Sequence, residues 1–196
     1  MEIGADKIGM VSRIDTIMAI ASALRRHKVR PVLDPVMVAT SGDRLLQPDA
    51  IDALRGELLP LAVIVTPNLP EAALLSGMPV AEDEAQMIAQ AEILLKAGVG
   101  AVLVKGGHGK GPESTDLLLD GNSLIRLSRP RIDTPNTHGT GCTLSAAIAA
   151  GLARGLPLAE AVAQAREYLH GALQAGAALA IGKGSGPVHH FHRWWR

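Results

Sequence analysis

The stretch "LAVIVTPN" (Leu61–Asn68) is the one whose reading decides the fold. Its apolar run shows no alternation with polar residues. It therefore reads as a strand buried on both faces, the pattern of a parallel sheet. Outward from it the same theme recurs. "KIGMV" (Lys7–Val11) reads as a strand end, "VRPVLD" (Val29–Asp34) as a strand with Pro31 among its first residues, and "AVLVKGG" (Ala101–Gly107) as another strand. Helical patterns lie between them. Ile14, Ile17, Met18, Ala21 and Leu24 predict a helix up to about His27. Pro48 falls near the start of one running through Leu54 to Leu58. Asp83 caps another through Met87, Ala91 and Leu95, which Gly98 closes. "SGDRLL" (Ser41–Leu46) reads as a loop. Thr115–Leu119 and Ser123–Leu127 flank "DGN", a hairpin signal, and two further helices are predicted over Thr140–Arg154 and Leu158 to about Leu179. This alternation predicts a single α/β domain over residues 1–196. Its mostly parallel sheet has helices on both faces and an antiparallel hairpin toward one edge.

Composition narrows the function classes. Lys and Arg balance Asp and Glu at 19 each, which argues against a broad nucleic-acid surface or an anionic-membrane patch. No apolar run is long enough to span a bilayer, and no signal peptide is visible. A single cysteine excludes an internal disulfide framework and fits a reducing, cytoplasmic compartment. Aromatic residues are only 2%, so the core must be built from Leu, Ile, Val and Ala, with helices lying close to the sheet.

In open α/β sheets, ligands bind beyond the carboxyl ends of the strands. The polar residues of this chain collect there: Asp34 after "PVL", Thr66, Asn68 and Glu71 after "AVIV", Lys105 with "GGHG" after "AVLV". The stretch "NTHGTGCTLSAAIAAGLARG" (Asn136–Gly155) leads into a helix N-terminus that could share this rim. Gly139 and Gly141 allow successive amides to point at one spot, and the helix from Thr140 adds its dipole, as in anion sites. The plainer reading is a glycine-rich start that lets the helix pack closely. Cys142 stands in the first turn, where a dipole favours a thiolate able to take a proton from an attacking alcohol; free cysteines are more often small buried apolar residues. Asn68 and Glu71, three apart, read either as a helix cap or as a site where Glu71 holds Mg²⁺ through water. "HHFHRWW" (His189–Trp195) has the look of a metal site, but zinc sites use wider spacings. It reads better as a terminal segment whose aromatics pack onto the domain. There is no GxxxxGK[ST], so the common P-loop is excluded.

The segments "KIGM", "LDPVMVATSGDRLL", "TPNLPEAALL", "VLVKGGH", "NTHGTGCTLSAA" and "GSGPVHHFHRWW" carry a family resemblance along the whole chain. The chain closely resembles the bacterial hydroxymethylpyrimidine/phosphomethylpyrimidine kinases of thiamine biosynthesis, in the ribokinase-like superfamily. The resemblance implies ATP and Mg²⁺, and two successive phosphorylations, of 4-amino-5-hydroxymethyl-2-methylpyrimidine and then of its monophosphate. It implies that Gly139, Thr140 and Gly141 form an anion hole, with Cys142 as the base. Met10 and Val36 match pyrimidine-contact positions, and Asp34 and Glu71 match positions near the metal. Thr66, Asn68, Lys105, Gly107 and His108 are expected on the nucleotide side. A cytoplasmic homodimer is implied, with no nucleic-acid or membrane partner. Relatives begin upstream of "KIGM" with a strand and a glycine-rich turn, so the chain is expected to lack that N-terminal segment. A pyridoxal or pyridoxine kinase of the same superfamily is the nearest enzymatic alternative, and a non-catalytic remnant is the alternative from another class.

Overall fold

The computed structural model describes residues 3–37, 46, 48–109 and 111–195. Six strands form one sheet in sequence order: β1 (Lys7–Ile8), β2 (Val32–Leu33), β3 (Ile64–Val65), β4 (Val102–Val104), β5 (Glu113–Leu119) and β6 (Leu124–Pro130). β1 to β4 are mutually parallel, while β5 returns antiparallel to β4 and pairs antiparallel with β6. The expected hairpin toward one edge is therefore present, and both its strands run longer than "DGN" alone indicates. The helices are α1 (Ile14–His27), α2 (Pro48–Ala53), α3 (Leu69–Ser76), α4 (Glu84–Lys96), α5 (Thr140–Ala153) and α6 (Leu158–Gly176). After α2 the chain continues through a wider turn over Leu54–Leu58. The expected loop at Ser41–Leu46 lies outside the described residues except for Leu46.

Strand side chains alternate between two cores. Leu33, Val65, Val102 and Val104 point to the face covered by α1–α4, with Ile17, Leu54, Leu58, Leu75 and Leu94. Val32, Ile64, Leu103 and Leu118 point to the opposite face, against Leu144 and Ile148 of α5 and Val162 and Leu169 of α6. This is why "AVIV" and "AVLV" are apolar without alternation: each residue finds a hydrophobic layer, whichever way it points. The parallel strands are shorter than the apolar runs that contain them. Pro31, Pro35 and Pro67 lack the N–H that would extend the ladder, so pairing continues only as separate bonds such as Val63 N–H to Pro31 O and Lys105 N–H to Pro67 O.

The C-terminal segment corrects one expectation. It docks through Val188, which is buried, and through the His189 amide donating to Ala172 O. The aromatics do not pack onto the domain: Phe191, Trp194 and Trp195 stay more than half exposed, and Phe191 stacks on Trp195 with ring centroids 4.5 Å apart.

Candidate active site

Asp34 directly follows β2 and is the hub of the rim. It is almost fully buried. Its Oδ1 accepts from Lys105 Nζ at 3.1 Å and from Thr66 Oγ1 at 3.2 Å. Its Oδ2 accepts from Ser145 Oγ at 3.1 Å and lies 3.7 Å from Lys7 Nζ. The ends of β1, β2, β3 and β4 and the first turns of α5 are thus tied to one carboxylate. Ser145 also bonds back to the carbonyls of Gly141 and Cys142, as hydroxyls inside helices do.

The α5 N-terminus stands directly above this hub. Gly139 occupies the N-cap position with φ +82°, a left-handed conformation that only glycine takes without strain. It brings no side chain to cap the helix, so the first amides of α5 have no side-chain partner. Gly141 lies close over the hub. A Cβ there would come within 3.3 Å of Lys105 Nζ and 3.8 Å of the Asp34 carboxylate. A lysine ammonium therefore backs an uncapped helix start, and both favour an anion. Cys142 is exposed in this first turn, against the commoner buried fate of a lone cysteine. Beyond Gly139 and Cys142 a groove of about 970 Å³ runs between α5, α6 and the C-terminal turn. Its floor is small (Ala146, Ala150, Ala161) and Tyr168 and Phe191 stand on its walls.

Asn68 and Glu71 satisfy the cap reading in full. The Asn68 side chain accepts the Glu71 amide at 2.9 Å, and Glu71 Oε2 accepts the Asn68 amide at 2.8 Å. Glu71 is nevertheless 3% exposed, and burial pushes its carboxyl above the ordinary 4.5. Lys105 and the Asn68 amide pull the other way, and nearby Asp34 adds to the rise. A buried carboxyl disfavouring its own charge, close to a second carboxylate, suits a divalent cation. Among the described residues no group of three or more His, Cys, Asp or Glu side chains is set to hold a metal. Two carboxylates fit Mg²⁺, which usually takes few protein ligands and completes its shell with water and phosphate oxygens.

The remaining expected residues divide between the two ends of the rim. Met10, after β1, is 59% exposed, and Val36, two residues after Asp34, is half-buried. Thr66 is fully buried under Asp34, so its hydroxyl orients that carboxylate. Lys105 precedes a tight turn over Gly106–His108, and Gly107 is exposed there; the side chain of His108 lies outside the described ones. Within this turn the glycine that geometry demands is Gly106, whose Cβ would collide with Thr115 O.

Several structural partners were not anticipated from the sequence. Lys7 and Ser145 are two. Asn136 is a third, donating to the carbonyls of Gly176 at 2.8 Å and Leu179 at 2.7 Å. It packs against Gly186 so closely that no side chain fits there. Asp116 and Arg166 form a buried ion pair, Nε to Oδ2 2.8 Å, lying off the line of a hydrogen bond. Burial pushes the Asp116 carboxyl up, against the pull of Arg166, the Gly106 amide and Lys105. The available signal was charge out of place: Asp116 beside the "LLL" of β5, and Arg166 on the buried stripe of α6 with Val162, Ala165 and Leu169.

A family model described as phosphomethylpyrimidine kinase matches residues 1–189. The chain is 64% identical, over all 196 of its residues, to the hydroxymethylpyrimidine/phosphomethylpyrimidine kinase of Rhizobium meliloti (strain 1021), and spans 74% of that protein. Its fold superposes on a pyridoxal kinase of Bacillus subtilis in an ADP complex with a TM-score of 0.91 at 36% identity, covering 98% of this chain and 72% of that one. A Staphylococcus aureus pyridoxal kinase in complex with AMP-PCP and pyridoxal gives 0.89 at 32% identity, covering 97% and 68%. The mixed sheet is thus the ribokinase-like one, and the uncapped α5 start with its cysteine sits in a sequence matched almost from end to end: the chain belongs to the phosphomethylpyrimidine kinase family.

Proposed function

We propose that this chain is a cytoplasmic, ATP-dependent kinase that phosphorylates 4-amino-5-hydroxymethyl-2-methylpyrimidine and then its monophosphate, giving the pyrophosphate used in thiamine biosynthesis. The observation that carries the chemistry is the first turn of α5, an uncapped helix start backed by Lys105 with Cys142 exposed at its mouth. The 64% identity to a kinase of that name supports the substrate class.

Phosphoryl transfer is mostly positioning and charge stabilisation. The substrate hydroxyl, or in the second round a phosphate oxygen, attacks the γ-phosphorus. One P–O bond forms, the bridging P–O bond to ADP breaks, and in the first round Cys142 takes the hydroxyl proton. Gly139, Thr140 and Gly141 offer amides to the transferred group. Met10 and Val36 flank the pyrimidine, while Lys105, Gly107 and His108 lie toward the phosphates, with Thr66 and Asn68 supporting Asp34 and Glu71. Mg²⁺ held by Asp34 and Glu71 would neutralise charge on the phosphates.

Incubation with Mg²⁺, ATP and the hydroxymethylpyrimidine, followed by mass spectrometry, tests the reading. Mono- and then diphosphorylated pyrimidine is expected. The likeness to pyridoxal kinases makes pyridoxal the competitor to include. A higher kcat/KM for pyridoxal, or no product from a folded sample, overturns the proposal. The homodimer implied by the resemblance is tested by light scattering, where a monomeric mass at micromolar concentration rejects it.

A further inference from the structure

The turn after β4 is gripped from two sides. From beneath, the Gly106 amide donates to Asp116 Oδ1 at 2.9 Å, and Asp116 is itself fixed by Arg166 of α6, whose guanidinium also donates to the carbonyls of Ser114 and Leu127. From above, Arg131, the residue after β6, spreads its guanidinium over three carbonyls. Nη1 donates to Gly107 O at 2.6 Å, Nε to Gly111 O at 2.9 Å and Nη2 to Glu113 O at 3.2 Å. Its own amide donates to Pro112 O at 2.8 Å. The grip accounts for the Gly106 amide and the Gly107 carbonyl. The other side of the turn is left open: a Cβ on Gly107 would meet nothing within 4 Å.

We propose that Arg131 is a positioning residue for the nucleotide: it holds the Gly106–Gly107 turn, with Asp116 beneath as counter-grip, in the one shape that accepts the phosphate chain of a nucleoside di- or triphosphate. The inference rests on the kinase reading, because it takes this turn as the phosphate side of the site. Three features support a role beyond stability. Arg131 is half-buried and makes these hydrogen bonds at the surface, so losing it removes little from the apolar core. Its bonds go to the carbonyls of the turn and the start of β5, and to no part of the apolar core. A flat guanidinium fork can bridge three acceptors, whereas a lysine ammonium supplies the same charge without that geometry.

The test compares wild type with Arg131→Gln and Arg131→Lys. ADP affinity is measured by calorimetry with Mg²⁺, ATP and pyrimidine KM by kinetics, and Tm by circular dichroism. Charge-assisted bonds of this kind predict a weakening of ADP binding by roughly tenfold or more. The KM for ATP rises in parallel and exceeds the fall in kcat, the KM for the pyrimidine stays near wild type, and Tm moves little. Arg131→Lys is expected to behave like Arg131→Gln. Unchanged ADP affinity in both variants overturns the inference. So does full recovery by lysine, which would make the charge rather than the fork responsible. A folded wild type that binds no ADP overturns the kinase reading and this inference with it. Wild-type binding with indifferent variants removes only the role of Arg131.

Discussion

Cys142 and Glu71 show how much a single side chain depends on its surroundings. The base role proposed for Cys142 rests on its exposure in the first turn of α5, whose start Gly139 leaves without a side-chain cap. Cys142→Ala is therefore expected to slow transfer by about 10²–10⁴-fold, the usual span for a general base, while ADP affinity stays near wild type. Turnover at the wild-type rate would remove the base role. Glu71 makes a different demand, because burial raises its carboxyl above the ordinary 4.5. A carboxyl with a raised folded-state value binds its proton more tightly when folded. Its contribution to stability is whole below about 4.5 and is lost as pH rises through the raised value. Glu71→Gln keeps the amide acceptor for the Asn68 cap and removes the titration. Compared with wild type, the variant should gain in Tm as pH rises from 4.5 toward neutrality, and Mg²⁺ with nucleotide should then stabilise wild type more than the variant. A pH-independent Tm difference, or an equal Mg²⁺ response, contradicts this account.

Elements lock the site into place through contacts that a sequence hides. The lead-in to α5 is held by Asn136, which ties it to the end of α6, while the His138 amide donates to Gly186 O. Asn136→Ala removes the side-chain donor of Leu179 O and one of the two donors of Gly176 O, which keeps the Leu179 amide at 3.0 Å. A cost of about 2–4 kcal/mol is expected from two lost partners, or a fall in Tm of roughly 2–4 °C for each kcal/mol at this chain size. A Tm within a degree of wild type would mean water replaces the amide at no cost. The order of strands and helices, the Asp83 cap and the hairpin were legible, because periodicity and turn residues are local signals. The same held for Asp34, Glu71, Lys105 and Cys142, placed together by strand ends on one rim. Asn136, Lys7 and Ser145 were not legible as partners, since their contacts join residues 27 to 111 positions apart in the chain and no spacing rule encodes such a pairing. Strand lengths were overread for a physical reason: β propensity marks "VRPVLD" as extended, but Pro31 and Pro35 withhold ladder donors.

At the scale of the whole molecule the sheet separates two cores that share few side chains, one under α1–α4 and one under α5–α6. What joins them at the functional end is Asp34. Lys105 and Thr66 reach it from neighbouring strands, Lys7 from β1, and Ser145 from α5 across the sheet. Removing the carboxylate leaves two partly buried ammonium groups without their counter-charge and the Thr66 hydroxyl without its acceptor, while Ser145 keeps the carbonyls of Gly141 and Cys142. Breaking a buried pair from one side costs about 3–5 kcal/mol, and the residual exposure of Lys105 and Lys7 places this case toward the lower end. Asp34→Ala should therefore lower the urea midpoint markedly. If Asp34 is what couples the two layers, the loss appears further as decoupling: amides of α5 and α6 should exchange with solvent at lower free energy than those of β3 and α4, whereas in wild type both sets follow one global unfolding. Equal protection of both layers in the variant would show that the sheet alone transmits cooperativity, and that Asp34 does not couple the layers.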